Sequence, residues 1–394
     1  MSWSFSNIEH IRMEFVLIAR EPFISISETC RQFKISRKTG YKWLKRYESD
    51  GLLGLYDRSR RPHSTPLAVS GDVVVALVRL RQAHLHWGPK KLKALLPKEG
   101  FRVNQLPSVA TIGRILKRSG LSKPKGRGRP KIYKQTRQLV DAAAPNDVWT
   151  VDFKGWWRCG DGERCEPLTI RDLYSRYLFC LRPMKTRKTE SVKEVFEEVF
   201  KLYGLPNVIR SDNGGPFASL RGLHGLTRLS AWWRSLGIEL DRIAPGHPEQ
   251  NGGHERMHGD MAREIQSDPS PTVEEEEKRL ERWRIEYNVH RPHEALDMKT
   301  PGELYRLSRQ RFENIEPCVY PGQYEQRRVG KNGYIRLTGR SVFISEALMG
   351  RRVGLQRLTD NLWHVWFCDL ELGEIDFAFA ATLRPTAYVT PQKP

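Results

Sequence analysis

The sequence of 394 residues contains few cysteines, and their spacing excludes the usual cysteine-based architectures. The six cysteines at positions 30, 159, 165, 180, 318 and 368 form no CxxC motif. Cys159 and Cys165 have no matching His/Cys pair, which argues against a structural zinc site and a dense disulfide framework. We therefore expect free thiols in a reducing compartment.

Long apolar runs are also missing. The longest purely apolar stretch is Val73–Val78, whereas a membrane-spanning helix needs about 20 apolar residues. The beginning of the chain shows no signal-peptide pattern. These features predict a soluble intracellular protein with no membrane partner.

Acidic residues are scarce in the first third of the chain. Residues 1–140 contain 29 Lys and Arg but only 9 Asp and Glu, whereas residues 141–394 contain 37 of each kind. The whole net charge of +20 therefore lies in the N-terminal third. This asymmetry predicts a module that binds a polyanion, joined to a domain with a different function.

The basic region contains two helix-turn-helix patterns. Ser27 and Ser36 are predicted N-caps of two helices separated by a short turn, and the second helix of this motif enters the major groove. A similar unit follows, with a basic helix capped by Ser108 and closed by Gly120. An ordinary solvated basic helix is the alternative to DNA binding. The residues expected to contact DNA are Arg37, Lys38, Thr39, Lys42, Lys45, Arg46, Arg114 and Lys117.

The segment 122–137 predicts a linker because it contains no acid and much Pro, Gly and basic charge. Its centre, with Arg127 and Arg129, resembles an AT-hook, in which two arginines lie along a narrow A·T minor groove. A basic tether that follows phosphates is the alternative interpretation.

The rest of the chain predicts two further regions. From residue 146, three strands, a helix and then alternating strands and helices predict an α/β layer fold. After about residue 320, short β runs with Gly turns predict a small all-β module. The tryptophan pairs 156–157 and 232–233 are expected to pack rather than to stack on bases. The predicted domains are helix-turn-helix units at 1–62 and 63–121, a linker at 122–145, an α/β core at 146–312 and a β-barrel-like domain at 313–394.

Three carboxylates in the α/β region point to metal chemistry. Asp152 lies inside an otherwise apolar strand, where an unpaired buried carboxylate is costly. Asp212 ends a short strand before the turn 213–216, and Glu255 lies in the first turn of a helix. A salt bridge explains any one of them alone. Together they can converge at one sheet edge, where carboxylate oxygens suit two Mg²⁺ or Mn²⁺ ions for phosphodiester chemistry.

Five stretches in order resemble the catalytic core of DDE transposases of bacterial insertion sequences: WTVDF, IRDLYSRY, IRSDNGGPF, RIAPGHPEQNGGHERMHG and YNVHRPHEALDMKTPGELY. That core has the ribonuclease H-like fold shared with retroviral integrases. The resemblance implies a multidomain chain, with all-α helix-turn-helix units in front of the core and a small all-β domain behind it. It places the catalytic triad on Asp152, Asp212 and Glu255.

The spacing before the third carboxylate departs from the family pattern. The 42 residues between Asp212 and Glu255 exceed the usual separation, so Glu239 and Glu249 remain alternatives to Glu255. In and after this segment, three residues are expected to contact DNA. They are His247, Gln250 and His258.

The resemblance implies a DNA transposase that binds terminal inverted repeats, cleaves 3′ ends with metal ions and joins them to target DNA. It implies a homo-oligomer on DNA, located in the bacterial cytoplasm at the nucleoid. The alternatives are a non-catalytic regulator derived from a transposase and a metal-dependent nuclease that cuts without joining. The presence of all three acids argues against the regulator.

Overall fold

The computed structural model describes residues 8–59, 68–122, 139–219, 222–244, 247–313 and 318–386. Arg127 and Arg129 of the predicted linker lie outside these ranges. The chain divides into two compact units between residues 69 and 70. Within the described ranges, no helix is long and apolar enough to cross a bilayer.

The first unit is a helix-turn-helix fold around a small aromatic core. Phe15 on the first helix and Trp43 on the third are both buried in that core. The turn after the third helix, Gly51–Leu55, covers the core with Leu55. The helices are α1 (Ile8–Ala19), α2 (Ile26–Gln32) and α3 (Arg37–Asp50).

The predicted caps of this unit are half correct. The Ser36 hydroxyl accepts a hydrogen bond from the Thr39 backbone N–H at 3.1 Å, so Ser36 caps α3 as expected. The helix before it begins at Ile26, which places Ser25 rather than Ser27 at the N-cap position. The predicted start of α2 was therefore too late, although the motif is correct.

The second unit begins with three more helices. Pro89 occupies the first turn of the middle one, where its missing N–H costs nothing. Ser108 caps the third by accepting a hydrogen bond from Thr111 N–H at 3.1 Å, and Gly120 follows its end with a positive φ of 71°. The helices are α4 (Gly71–Ala83), α5 (Pro89–Leu95) and α6 (Val109–Arg118).

A five-stranded mixed sheet forms the centre of the second unit, in the order β5-β4-β1-β6-β7. Within this sheet, β4 pairs antiparallel with both β1 and β5, and β6 and β7 extend the sheet parallel to β1. A two-stranded hairpin, β2–β3, follows β1. The strands are β1 (Val148–Phe153), β2 (Trp157–Arg158), β3 (Arg164–Cys165), β4 (Pro167–Asp172), β5 (Leu178–Pro183), β6 (Val208–Ser211) and β7 (Glu239–Arg242).

Helices surround this sheet and complete the predicted α/β core. Val192, Phe196 and Phe200 on one side of α7 join Trp149 of β1 in the main core. Thr189 is the first residue of α7, and Lys188 occupies its N-cap position. The helices are α7 (Thr189–Tyr203), α8 (Arg228–Ser235), α9 (Gly252–Met261), α10 (Val273–Ile285) and α11 (Pro301–Leu304).

The C-terminal part is all-β, as predicted. Its five-stranded antiparallel sheet has the order β14-β13-β12-β11-β8, and β9 and β10 form a separate hairpin. Cys318 and Cys368 form a disulfide, which corrects the expectation of free thiols for this pair; Cys30, Cys159, Cys165 and Cys180 are buried and unpaired. The strands are β8 (Glu325–Arg328), β9 (Tyr334–Leu337), β10 (Arg340–Phe343), β11 (Arg352–Arg357), β12 (Leu362–Phe367), β13 (Leu370–Asp376) and β14 (Leu383–Pro385).

Candidate active site

Two of the three candidate carboxylates meet at one edge of the central sheet. Strands β1 and β6 are parallel neighbours, and Thr150 lies opposite Arg210. Asp152 and Asp212 each lie two residues further along their strands, so this register places them side by side. Neighbouring parallel strands end at the same sheet edge, which is where open α/β folds form their sites. The sequence prediction of one shared edge is therefore correct for this pair.

The turn after β6 orients Asp212. One carboxylate oxygen of Asp212 accepts a hydrogen bond from the Gly214 backbone N–H at 3.1 Å. The Asn213 side-chain amide donates to the Ile243 carbonyl at 2.7 Å, which attaches the turn to the end of β7. A Cβ at Gly214 would lie 3.1 Å from the Asp212 carboxylate, so glycine leaves this carboxylate free of crowding.

Glu255 faces the same pair from α9. Its side chain is exposed in the first turn of that helix. Its charge contributes to the raised pKa of Asp152, although less than that of Asp212. Glu239 begins β7 opposite Val208, at the other end of the strand from Asp212, so the sheet places it away from the pair. The side chain of Glu249 lies outside the described part of the structure.

The carboxylate pair is electrostatically strained. Burial and the neighbouring Asp212 charge raise the pKa of Asp152 from 3.8 to about 7. Within the described residues, none of the three carboxylates forms an ion pair with a lysine or arginine within 4 Å. The ordinary explanation of a separate salt bridge for each acid therefore does not apply to the described structure.

Beneath Asp152, His258 connects α9 to the sheet. Its Nδ1 lies 3.8 Å from an Asp152 carboxylate oxygen, and its Nε2 lies 3.0 Å from the Thr169 hydroxyl. That hydroxyl donates to the Asp152 carbonyl at 2.8 Å. Burial, with Lys154 and Arg171 nearby, lowers the pKa of His258 to about 3, so the ring is neutral. The His258 ring is buried, with both nitrogens facing groups of the protein, and its contact with DNA stays a prediction.

Two basic residues that the sequence analysis missed lie beside the pair. The Arg187 guanidinium lies 4.6 Å from the centre of the Phe153 ring and pairs with Glu166. Its pKa is raised, first by the Glu166 hydrogen bond and also by Asp212 and Asp152. Burial lowers the pKa of Lys154, and the Asp152 charge opposes this shift. Of these two basic residues, only Lys154 could have been identified from the sequence, because it lies two residues after Asp152.

The carboxylate oxygens at this sheet edge are suitable ligands for a hard cation, but in the described part of the structure they do not surround a cation site. Carboxylate oxygens are the ligands that Mg²⁺ and Mn²⁺ prefer. Across the described residues, no three or more His, Cys, Asp or Glu side chains form a group that could hold a metal ion. The structure thus brings Asp152 and Asp212 together and leaves Glu255 at the periphery.

The predicted DNA-binding residues of α3 and α6 are largely accessible. In α3, Thr39 and Arg46 are half-buried. Lys42 and Arg46 also lie over the Trp43 ring, with charge-to-centroid distances of 4.8 and 5.0 Å. The exposed residues of the set predicted on these two helices are Arg37, Lys38, Lys42, Lys45, Arg114 and Lys117.

The loop before α9 uses its polar residues internally. The Gln250 side-chain carbonyl accepts a hydrogen bond from Ala244 N–H at 2.7 Å, and Gln250 N–H donates to the His247 carbonyl at 3.1 Å. Asn251 occupies the N-cap position of α9 but makes no side-chain cap bond; its side-chain Oδ1 lies 3.0 Å from His254 Nδ1. Gln250 therefore has a structural contact besides its predicted role on DNA.

Family models match each part of this architecture. Two models described as integrase core domain match residues 142–248 and 236–301, and two homeodomain-like domain models match residues 11–56 and 39–116. A model described as IS481 family transposase, C-terminal domain, matches residues 324–381. The class defined here is a protein with helix-turn-helix DNA-binding domains and an integrase core.

Similar proteins come from insertion elements. The uncharacterized 31.7 kDa protein of IS407 from Burkholderia multivorans is 27% identical over 229 residues, covering 58% of this chain and 78% of that protein. The uncharacterized 39.2 kDa protein of IS476 from Xanthomonas euvesicatoria is 26% identical over 275 residues, covering 70% and 76%. A solved HTLV-2 integrase catalytic core domain in complex with magnesium is 16% identical, covering 42% of this chain and 100% of that one, with a TM-score of 0.31. The family models and the insertion-element relatives together support grouping this chain with insertion-sequence transposases that have an integrase core.

Proposed function

We propose that this chain is a DDE transposase that cleaves the ends of its element and joins them to target DNA. The observation that supports this proposal is the pair Asp152 and Asp212. These carboxylates lie side by side on parallel strands, and their mutual repulsion is not relieved by any described Lys or Arg ion pair. Such a pair is costly unless a cation binds it.

The donor chemistry at this edge fits two Mg²⁺ or Mn²⁺ ions. Asp152 and Asp212 would hold them, with Glu255 of α9 as the third ligand. Bound there, the ions would activate the attacking oxygen and stabilise the leaving oxygen of an in-line displacement. His258 would hold Asp152 in place from the side of α9. Because its ring is neutral, it would not compete with the metal ions for the negative charge of the Asp152 carboxylate.

Both reactions are displacements at phosphorus. In the first, water attacks the phosphodiester at the element end, the P–O bond to the 3′ oxygen breaks, and a 3′-hydroxyl is released. In the second, that hydroxyl attacks a target phosphodiester and displaces the 3′ oxygen of the target strand. Neither step needs a covalent protein–DNA intermediate, and Arg187 and Lys154 lie beside the pair to neutralise the approaching phosphates.

We propose that α3 and α6 bind the terminal inverted repeats of the element. Their exposed basic residues would contact phosphates and base edges in successive major grooves. Two element ends must be joined together, so we propose a homo-oligomer that bridges them, acting at the nucleoid in the bacterial cytoplasm. The basic linker at 122–137, including Arg127 and Arg129, comes after both helices in the chain and would add further contacts to DNA phosphates.

A joining assay tests the proposal. Purified protein is incubated with Mg²⁺, labelled duplex carrying the inverted repeat next to the reading frame, and a supercoiled plasmid. Joined product supports a transposase, cut ends without joining indicate the nuclease, and a shifted band alone indicates the regulator. Asp152→Asn is expected to abolish both reactions while end binding persists. Glu239→Gln is the matched control, since it removes a carboxylate from the same sheet away from the pair, and it should retain activity.

A further inference from the structure

An exposed tryptophan stands close to the proposed catalytic edge. Trp156 is 49% exposed, and it is the one exposed tryptophan among the described residues. The sequence predicts that Trp156 packs against the protein, as its neighbour Trp157 is also predicted to do. Trp157 does so: it is buried, and its indole N–H donates to the Glu276 carboxylate at 2.9 Å. The packing prediction is therefore wrong for Trp156 alone, since Trp232 and Trp233 are also buried.

Two arginines flank the exposed ring. The guanidinium carbons of Arg164 and Arg158 lie 4.4 and 5.7 Å from the Trp156 ring centre. These arginines face each other across the β2–β3 hairpin, and like charges directly opposite are destabilising. Among the described residues, neither guanidinium lies within 4 Å of a carboxylate, although Asp161 and Glu163 are in the same hairpin. Arg158 donates a hydrogen bond to the Gly162 carbonyl at 2.6 Å, but this neutral acceptor leaves the positive charge of both guanidinium groups available to an external anion.

The hairpin that presents Trp156 is firmly anchored. Gly160 N–H donates to the Ser270 carbonyl at 3.0 Å, and Asp161 N–H donates to the Pro271 carbonyl at 2.8 Å. A Cβ at Gly160 would lie 3.0 Å from Pro271 Cα, so the two segments are in close contact. With Trp157 buried behind it, the exposed ring is held in a fixed place and loses little conformational freedom when it binds a partner.

The position of the hairpin links it to the reaction. It leaves β1 only two residues after Asp152, at Lys154, whose backbone N–H donates to the Pro167 carbonyl at 3.1 Å. Four residues of chain span at most about 14 Å, so a DNA strand whose phosphodiester reaches Asp152 can extend to this platform, defined as Trp156, Arg158 and Arg164.

We propose that the platform binds an unpaired nucleotide of the DNA end, with its base stacked on Trp156 and its neighbouring phosphates held by Arg158 and Arg164. An indole accepts any base, and arginine beside an aromatic ring is typical of sites for single-stranded DNA. This inference rests on the proposed function, which supplies the DNA end. It adds that the last base pairs open before cleavage.

A binding assay without chemistry tests the platform. Fluorescence anisotropy in EDTA compares two labelled terminal-repeat duplexes, one fully paired and one with mismatched terminal base pairs. We expect the wild type to bind the mismatched end about tenfold more tightly, the size of one base–aromatic stack. Trp156→Ala should lose this preference, and Trp156→Phe should keep most of it. Phe379→Ala is the matched control, because Phe379 is 77% exposed with Arg384 5.2 Å from its ring centre, in the C-terminal β-sheet part.

The arginines have a separate signature. The double variant Arg158→Gln/Arg164→Gln should weaken binding of both duplexes to a similar extent and lower the slope of log affinity against log salt by up to about two. A 5-iodouracil at the terminal position should crosslink to Trp156 on irradiation, as located by peptide mass spectrometry.

Several results would overturn the inference. They are equal affinity of the wild type for both duplexes, a preserved preference in Trp156→Ala, or a crosslink located outside the hairpin. A change in oligomeric state of Trp156→Ala, measured by light scattering, with unchanged DNA preference would make the ring a contact between protein copies instead. Because these assays need no cleavage, they can succeed or fail independently of the joining assay.

Discussion

Substitution of Asp152 by asparagine tests the strain in the carboxylate pair directly, without any DNA reaction. Burial and the Asp212 charge raise the pKa of Asp152 from 3.8 to about 7. At about 1.4 kcal/mol for each pH unit, ionisation of this side chain lowers the free energy of unfolding by at most about 4 kcal/mol. Asparagine keeps the shape and removes the charge.

The direction of the pH dependence follows from proton binding. The folded protein binds this proton more tightly than the unfolded chain does, so the stabilising contribution is complete below about pH 4 and is lost as the pH rises through about 7. Between pH 5 and 8, in EDTA, the wild type should lose about 2–3 kcal/mol relative to Asp152→Asn. In a unit of this size, that loss lowers Tm by on the order of 5 °C.

Differential scanning calorimetry of both proteins over this pH range measures the effect in the transition of the larger unit. Asp212→Asn should show an intermediate slope, because burial, the first cause of the raised pKa, remains. Glu239→Gln should follow the wild type. Added Mg²⁺ should raise Tm of the wild type at pH 8 much more than that of Asp152→Asn. Parallel pH profiles for wild type and Asp152→Asn would refute the argument that the two aspartates strain each other.

Three further predictions concern other parts of the chain. Arg291 is fully buried against the partly buried carboxylates of Asp260 and Glu264. Arg291→Ala removes this charge from both and leaves a cavity, so it should cost about 3 kcal/mol in urea unfolding; an unchanged midpoint would contradict this. Lys42→Gln removes an exposed charge from α3 and should weaken binding to all DNA sequences equally. In filter binding, the slope of log affinity against log salt concentration should be lower by about one. A loss for some sequences only would instead make Lys42 a base contact. Gly40→Ala places a Cβ 2.6 Å from the Cys30 sulfur and should cost about 1–3 kcal/mol by circular dichroism melting, whereas an unaltered melt would show that the helices can move apart.

Much of the fold followed from local patterns. The Ser36 and Ser108 caps, the basic helices after them and the change from helical to strand periodicity near residue 146 are properties of neighbouring residues, which is why they could be predicted. Helix starts were less predictable: Ser25 and Ser27 are both good N-caps, and packing of α2 selects the earlier one.

The candidate site could be predicted only in outline. Asp152 and Asp212 were identified by their places at strand ends. The exposure of His258 and Trp156 could not be predicted. A histidine one helical turn after Glu255 and a tryptophan beside another tryptophan have no sequence feature that determines whether they are buried. Burial of one and exposure of the other depend on which elements cover them.

By itself, the sequence determined the order of the helical, α/β and all-β parts, the location of the positive charge and the three acids that we propose as metal ligands. Only the tertiary structure decided that Asp152 and Asp212 are neighbours, that Glu255 stands further out, and that Trp156 faces solvent between two arginines. The reason is physical: charge repulsion and desolvation depend on distances in space. These distances are set when β1 pairs with β6, whose residues lie 60 positions later in the sequence.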